Sequence, residues 1–216
     1  MCENILDEIP MFMNDLQRLA MQKHGLNVFD FQCDHVCYRT ETAKEYLETR
    51  HFLLNDSDCT MLLESMINGR PISLLKLPRP VWYGRCEDGF RPGVSLVELP
   101  FPTTKKAYRT GWQHAEFVIK SHSNRFRDEK LKPRFLDDRI ILEFRDDYAR
   151  IEMKYNKKTI NSDLELLLCN KTGATIKFHA SALEDVVEYE IENGMVENVP
   201  QNMFDEQSYS IKTSRL

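Results

Sequence analysis

The chain has 216 residues, 42% hydrophobic and 29% charged, with only 8 Gly and 9 Pro, a globular composition that excludes collagen-like, elastic and disordered classes. Lys+Arg 29 against Asp+Glu 34 leaves a net charge of −5, so no overall positive field draws the chain to nucleic acid. No apolar run approaches the roughly 18 residues of a membrane span, and the acidic N-terminus lacks a basic flank before an apolar block. The expectation is a cytoplasmic protein with neither membrane nor nucleic acid as partner. Cysteines at 2, 33, 37, 59, 86 and 169 form no C-x-x-C, which argues against a disulfide framework or a zinc finger.

Ile9, Phe12, Met13, Leu16, Leu19 and Ala20 recur at helical spacing, with Pro10 in the first turn and Gly25 as the stop. From Val28 to Arg39 the period shortens to 2, a strand. Thr42 and Glu45 have capping-box spacing for a helix over 42–52. Strands Met61–Ile67 and Ile72–Leu77 flank an Asn68-Gly69 hairpin turn, and Val94–Leu99 follows a Pro/Gly-rich loop. The order then begins again: strand Trp112–Ile119, a charged and partly helical stretch at 121–136, and strands Ile151–Tyr155, Leu164–Leu168 and Ala174–Phe178, with Ile140–Tyr148 unassigned. Ser181 and Glu184 have capping-box spacing for a last helix through about 193. Beyond Gly194 the polar, aperiodic chain reads as a loose tail over 194–216.

The second set of elements repeats the first. Cys33-Asp34-His35-Val36-Cys37-Tyr38 resembles Trp112-Gln113-His114-Ala115-Glu116-Phe117, and each half ends on a strand with one polar residue against its apolar pattern, Glu98 and His179. Glu98 follows His35 by 63 residues and His179 follows His114 by 65. Two tandem βαβββ modules, about 26–102 and 108–180, explain this, with helices added at both ends. A buried carboxylate or imidazole costs several kcal/mol unless paired or bound to metal. One such group at matched positions of four strands therefore marks His35, Glu98, His114 and His179 as candidate ligands of a divalent ion, with Zn, Fe, Mn and Ni all compatible with N/O donors.

Strict alternation puts Cys33, Cys37 and Arg39 on the face of His35, and Trp112, Glu116 and Val118 on the face of His114. Arg39 would clamp a substrate carboxylate or phosphate, and Glu116 would act as general base if burial raised its pKa. An Arg39–Glu116 ion pair and structural cysteines are the alternatives.

Asp34-His35-Val36-Cys37-Tyr38-Arg39, Met66-Ile67-Asn68-Gly69-Arg70-Pro71-Ile72, Val97-Glu98-Leu99-Pro100, Gly111-Trp112-Gln113-His114-Ala115-Glu116 and Ile176-Lys177-Phe178-His179 together resemble the YecM family, within the vicinal-oxygen-chelate superfamily of glyoxalases, extradiol dioxygenases and epimerases. The resemblance spans approximately residues 8 to 190. It implies an α+β fold in which both modules curve into one cup-like mixed sheet within a single domain at 1–193. A divalent ion would sit on His35, Glu98, His114 and His179. Glyoxalase I has a carboxylate where this chain has His179, so that particular reaction is not implied. Arg70 matches a family position that would contact an anionic substrate, and Trp112 would line the cup.

The function expected is a metal-dependent lyase, isomerase, epimerase or dioxygenase acting on a small oxygen-rich molecule, as monomer or homodimer. The alternative is a small-molecule-binding protein that uses the same cup without chemistry, through aromatic walls from Trp112, Tyr38 and Trp82.

Overall fold

The apolar stripe near the N-terminus forms α1 (Ile9–His24), whose Ile9, Met13, Leu16 and Ala20 are buried, and Gly25 ends it at φ 66°. The computed structural model describes residues 4–85, 91–103, 109–118, 163–169, 172–179 and 181–204. The expected helix over 121–136, the strand Ile151–Tyr155 and the segment Ile140–Tyr148 lie outside them. Among the described residues no helix is long and apolar enough to cross a membrane.

After α1 come β1 (Gln32–Arg39), α2 (Ala43–His51), β2 (Thr60–Ile67), β3 (Arg70–Trp82), β4 (Gly93–Pro100), β5 (Gly111–Val118), β6 (Asp163–Leu167), β7 (Thr175–His179) and α3 (Leu183–Glu192). The capping box of α2 forms as its spacing predicts: Thr42 accepts from Glu45 N, and Glu45 accepts from Thr42 N at 3.0 Å. Between β2 and β3, Asn68 and Gly69 take φ 52° and 78°, the left-handed pair that matches a hairpin turn to strand twist.

The seven described strands make one curved, open sheet in the order β2-β3-β4-β1-β5-β7-β6. β1 runs parallel to β4, β5 parallel to β7, and β1 antiparallel to β5 at the centre. The set β3-β4-β1 is thus answered by β6-β7-β5 across an approximate two-fold, the paired arrangement that the repeat predicts.

One face of this sheet carries the main core. Val36, Tyr38, Leu75, Leu77, Val97, Leu99, Ala115, Phe117, Ile176 and Phe178 pack there with the buried stripe of α1 and with Tyr46 of α2. At about 1.5–3 kcal/mol for each large side chain taken from water, this layer supplies most of the driving force. The opposite face is divided. Leu74, Leu96 and Val187 form a small apolar cluster flanked by Leu62, Leu63 and Leu183, while the strands beside it carry buried Asp34, His35, His114, Glu116 and His179.

Two bulges set which side chains reach that polar half. On β1, Cys33 pairs with Phe117 and His35 with Glu116, so Asp34 is an extra residue; on β5, Cys37 of β1 faces His114 and Tyr38 faces Trp112, so Gln113 is extra. An extra residue reverses the alternation beyond it. Strict period 2 therefore fails at both places: Cys33 and Trp112 join the core face, and Asp34 joins His35.

The C-terminal end also departs from the sequence reading. The first residue of α3 donates its N–H not to Ser181 but to Asp34 Oδ1, 3.0 Å away on β1. Glu184 pairs with Lys76 at 2.7 Å instead of closing a capping box. The segment expected as a loose tail is docked over its described part: Met66 N donates to Glu197 O at 2.8 Å, and Phe204 stacks on Tyr46 with centroids 5.8 Å apart.

Candidate metal centre

Three strands aim polar side chains at a common point. β1 supplies His35, β4 supplies Glu98, and β5 supplies both His114 and Glu116 because residues two apart share a face. Their donor atoms all lie within 4.8 Å of one another. His35 Nε2 is 3.2 Å from Glu98 Oε2 and 3.4 Å from Glu116 Oε1, and His114 Nε2 is 3.2 Å from Glu116 Oε1 and 3.8 Å from Glu98 Oε2. Donors spaced by about 3–4 Å are what an ion about 2.1 Å from each requires. His114 Nε2 is buried without a well-directed hydrogen bond, so the nitrogen best placed to bind an ion has no stronger commitment.

A second ring of contacts holds these donors. Asp34 Oδ2 accepts from His35 Nδ1 at 2.9 Å, which keeps Nε2 directed at Glu98 and Glu116; Asp34 is the outer carboxylate commonly found behind a ligating histidine. Lys177, two residues before His179 on β7, donates to Glu116 Oε1 at 2.6 Å. His179 Nδ1 donates to Ser181 O at 2.6 Å, and its Nε2 lies 3.3 Å from Asp34 Oδ2 and 3.7 Å from Glu116 Oε2. His179 thus forms a neighbouring group with Asp34 and His35, while Glu116 completes the first group.

The charges are informative. Asp34, Glu98 and Glu116 against Lys177 and the more distant Arg39 leave the site negative when the histidines are neutral. Burial works to neutralise His35, but the Glu116 charge and the hydrogen bonds that His35 donates to Asp34, Glu116 and Glu98 outweigh it and raise its pKa well above the ordinary value. Burial likewise opposes charge on His114, yet Cys37 and Glu116 win and lift it to about 10. Burial alone would raise Glu98 and Glu116; the imidazoles of His114 and His35 beside Glu98, and the charges of His35 and Lys177 beside Glu116, hold both carboxyls well below the usual range. Without an ion, the imidazoles retain protons that offset the acids. A divalent cation would take the place of those protons.

A cavity of about 300 Å³ opens from this cluster. His35, Glu98, Glu116, Arg39 and Lys177 line its polar end, Arg70 and Asn68 its hairpin side, and Leu63, Leu74, Leu183, Val186 and Val187 its apolar wall. Arg70 Nη1 also donates to Phe101 O at 3.2 Å. Trp112 is elsewhere: on the core face it meets Tyr38 edge-on at 5.0 Å, approaches Phe12 and donates Nε1–H to Ile5 O. Trp82, the third expected wall aromatic, is 49% exposed.

Sequence reasoning missed Asp34, Lys177 and the roof formed by α3. Lys177 shares the period-2 face of His179 and was recoverable from alternation. Asp34 was not, because only the bulge turns it toward His35.

The family model described as YecM protein matches residues 1–190. Protein YecM of Escherichia coli (strain K12) is 30% identical over 195 residues, covering 86% of this chain and 92% of that protein. A solved structure described as structural-genomics protein EC4020 is 28% identical with a TM-score of 0.61, covering 86% of this chain and 91% of that one. Methylmalonyl-CoA epimerase of Streptomyces coelicolor is 14% identical with a TM-score of 0.42, over 70% of this chain and 98% of that one.

Proposed function

The chain belongs to the YecM family, and from that premise we propose that it is a cytoplasmic, divalent-metal-dependent enzyme of the vicinal-oxygen-chelate type, a lyase, isomerase, epimerase or dioxygenase, acting on a small oxygen-rich anion. The observation that carries this reading is the convergence of His35, Glu98, His114 and Glu116, whose donors lie within 4.8 Å of one another, at a site where the acids Asp34, Glu98 and Glu116 outnumber the cations Lys177 and Arg39. Bound there, a divalent ion supplies positive charge to oxyanion character developing on the substrate.

The side chains divide the remaining work. Asp34 fixes the tautomer of His35. Lys177 and His35 hold Glu116 in its charged form, which suits a donor to a cation better than a proton acceptor, so Glu116 takes the fourth place in the ligand set and His179 stands behind it through Asp34. Arg39 and Arg70 at the cavity wall recognise the anionic end of the substrate, since a guanidinium binds carboxylate or phosphate in two parallel bonds. Leu183, Val186 and Val187 cover the apolar end and keep water from it. The aromatic cup of a metal-free binding module finds less support, because Tyr38 and Trp112 pack on the other face.

Metal analysis and calorimetric titration of tag-free protein test the reading. One ion per chain is expected, with loss of stoichiometric binding in His35→Ala and in Glu116→Ala. Absence of bound ion, or binding indifferent to both substitutions, overturns it.

A further inference from the structure

Asp34 is buried, 6% exposed, and uses its two oxygens on different parts of the molecule. Oδ2 accepts from His35 Nδ1 at 2.9 Å, and Oδ1 accepts from the N–H of Leu183 at 3.0 Å. Leu183 is the first residue of α3, and no side-chain cap of its own closes that helix; its N-cap is Ala182. A carboxylate at a helix N-terminus satisfies an orphan donor and meets the positive end of the helix dipole. The same helix supplies Leu183, Val186 and Val187 to the wall of the cavity.

We propose that Asp34 is a positioning residue that joins the cation site to the cavity roof: it aims His35 at the ion and latches α3 over the substrate, so that ion binding and roof closure stabilise each other. The ion half rests on the proposed function. The latch half does not.

The two oxygens cannot be replaced by one acceptor. An amide has a single carbonyl oxygen, so Asp34→Asn must surrender one contact, either the helix cap or the acceptor for His35 Nδ1–H. Losing the latter turns the imidazole to carry its proton on Nε2, the nitrogen facing Glu98 and Glu116. Asp34→Ala gives up both contacts. Leu183→Pro removes the donor while keeping Asp34, at the cost of the leucine side chain in the cavity wall; proline is tolerated at the first helical position, and Ala182 already has the extended ψ of 144° that precedes proline comfortably.

The experiment pairs titration with zinc and with manganese(II) against amide hydrogen exchange across 186–192, in full-length protein whose folding is checked by circular dichroism. In the parent, the ion slows exchange in α3. Asp34→Ala weakens ion binding about 10- to 100-fold, the range for an outer carboxylate, speeds exchange in α3 several-fold, and abolishes its response to the ion. Leu183→Pro speeds exchange and, by linkage, weakens the ion by a smaller factor. Unchanged exchange in Asp34→Ala overturns the latch. Unchanged ion affinity in Asp34→Ala, or full retention of both properties in Asp34→Asn, overturns the positioning role. A parent protein that binds neither ion overturns the proposed function and the ion half together, while exchange in the ion-free variants still decides the latch.

Discussion

Strands β1 and β5 pair at the centre of the sheet, occupy equivalent places in the two modules, and each carry one histidine only 3% exposed. Each also contains one bulge, and the two bulges act in opposite ways. The extra residue on β1 turns Asp34 toward the site, so His35 gains an acid behind its Nδ1. The extra residue on β5 turns Trp112 away from the site into the core, beside Phe12 and Tyr38. The first module therefore supplies an oriented histidine, while the second supplies the Glu116–Lys177 pair. Near-equivalent sequence motifs have diverged through backbone register, not through the identity of their histidines.

Neighbouring substitutions on β5 should break this comparison most sharply. His114→Ala is expected to weaken divalent-ion binding well beyond the roughly 100-fold of an outer-shell change, measured by titration, because it removes a donor that no other described side chain on β5 can replace. Trp112→Ala, two residues away, should do the reverse. It should lower unfolding stability in urea by about 3 kcal/mol, as expected for a large aromatic lost from a core, and leave ion affinity within about twofold. Loss of ion binding in Trp112→Ala would mean that the indole serves the site after all.

These placements show what could be read from sequence. The repeat was legible because Glu98 and His179 stand out against apolar strands that are buried on both faces, and the hairpin and the α2 cap were legible because Asn68-Gly69 and Thr42-Glu45 act over a few residues. The faces of Cys33 and Trp112 were not, since a bulge is a property of two paired strands and neither strand alone records it. The cap of α3 was hidden for the same reason: its acceptor, Asp34, lies 149 residues from the donor, Leu183. Ser181 offered a local solution that the fold does not use. The assignment of His179 and Glu116 within the ligand set depended on the same long-range geometry.

Titration sharpens the comparison in a different way. His114 is raised to about 10 from 6.5 despite burial, through Cys37 and Glu116, and His35 is raised by Glu116 and Asp34. A histidine raised in the folded state contributes stability that is fully present below about pH 6.5 and is lost as pH rises through its folded value. The ion-free protein should therefore lose stability in urea between about pH 6.5 and 10. Ion affinity should climb over the same window, since each proton displaced adds about tenfold per pH unit, or about 1.4 kcal/mol. Acid has the opposite effect through Asp34: burial would raise it, but bonds from His179 and His35 lower it to about 2, so its contribution is present above about pH 4 and fades as pH falls toward 2. Calorimetry in buffers of different ionisation enthalpy should register about two protons released per ion near pH 7; none released would mean that the imidazoles are already neutral and that protons do not stand in for the cation.

The smallest effect separates a local cap from a long-range one. Thr42 caps α2 within its own turn, accepting from Glu45 N at 3.2 Å, whereas α3 is capped across the sheet by Asp34. Thr42→Ala should cost about 1 kcal/mol of unfolding stability and leave ion affinity unchanged, because nothing on the path from Thr42 to His35 depends on that bond. If Thr42→Ala instead weakened the ion as Asp34→Ala does, loss of a helix cap would act on the site only through general loosening of the fold, and the distinction between the two caps would disappear.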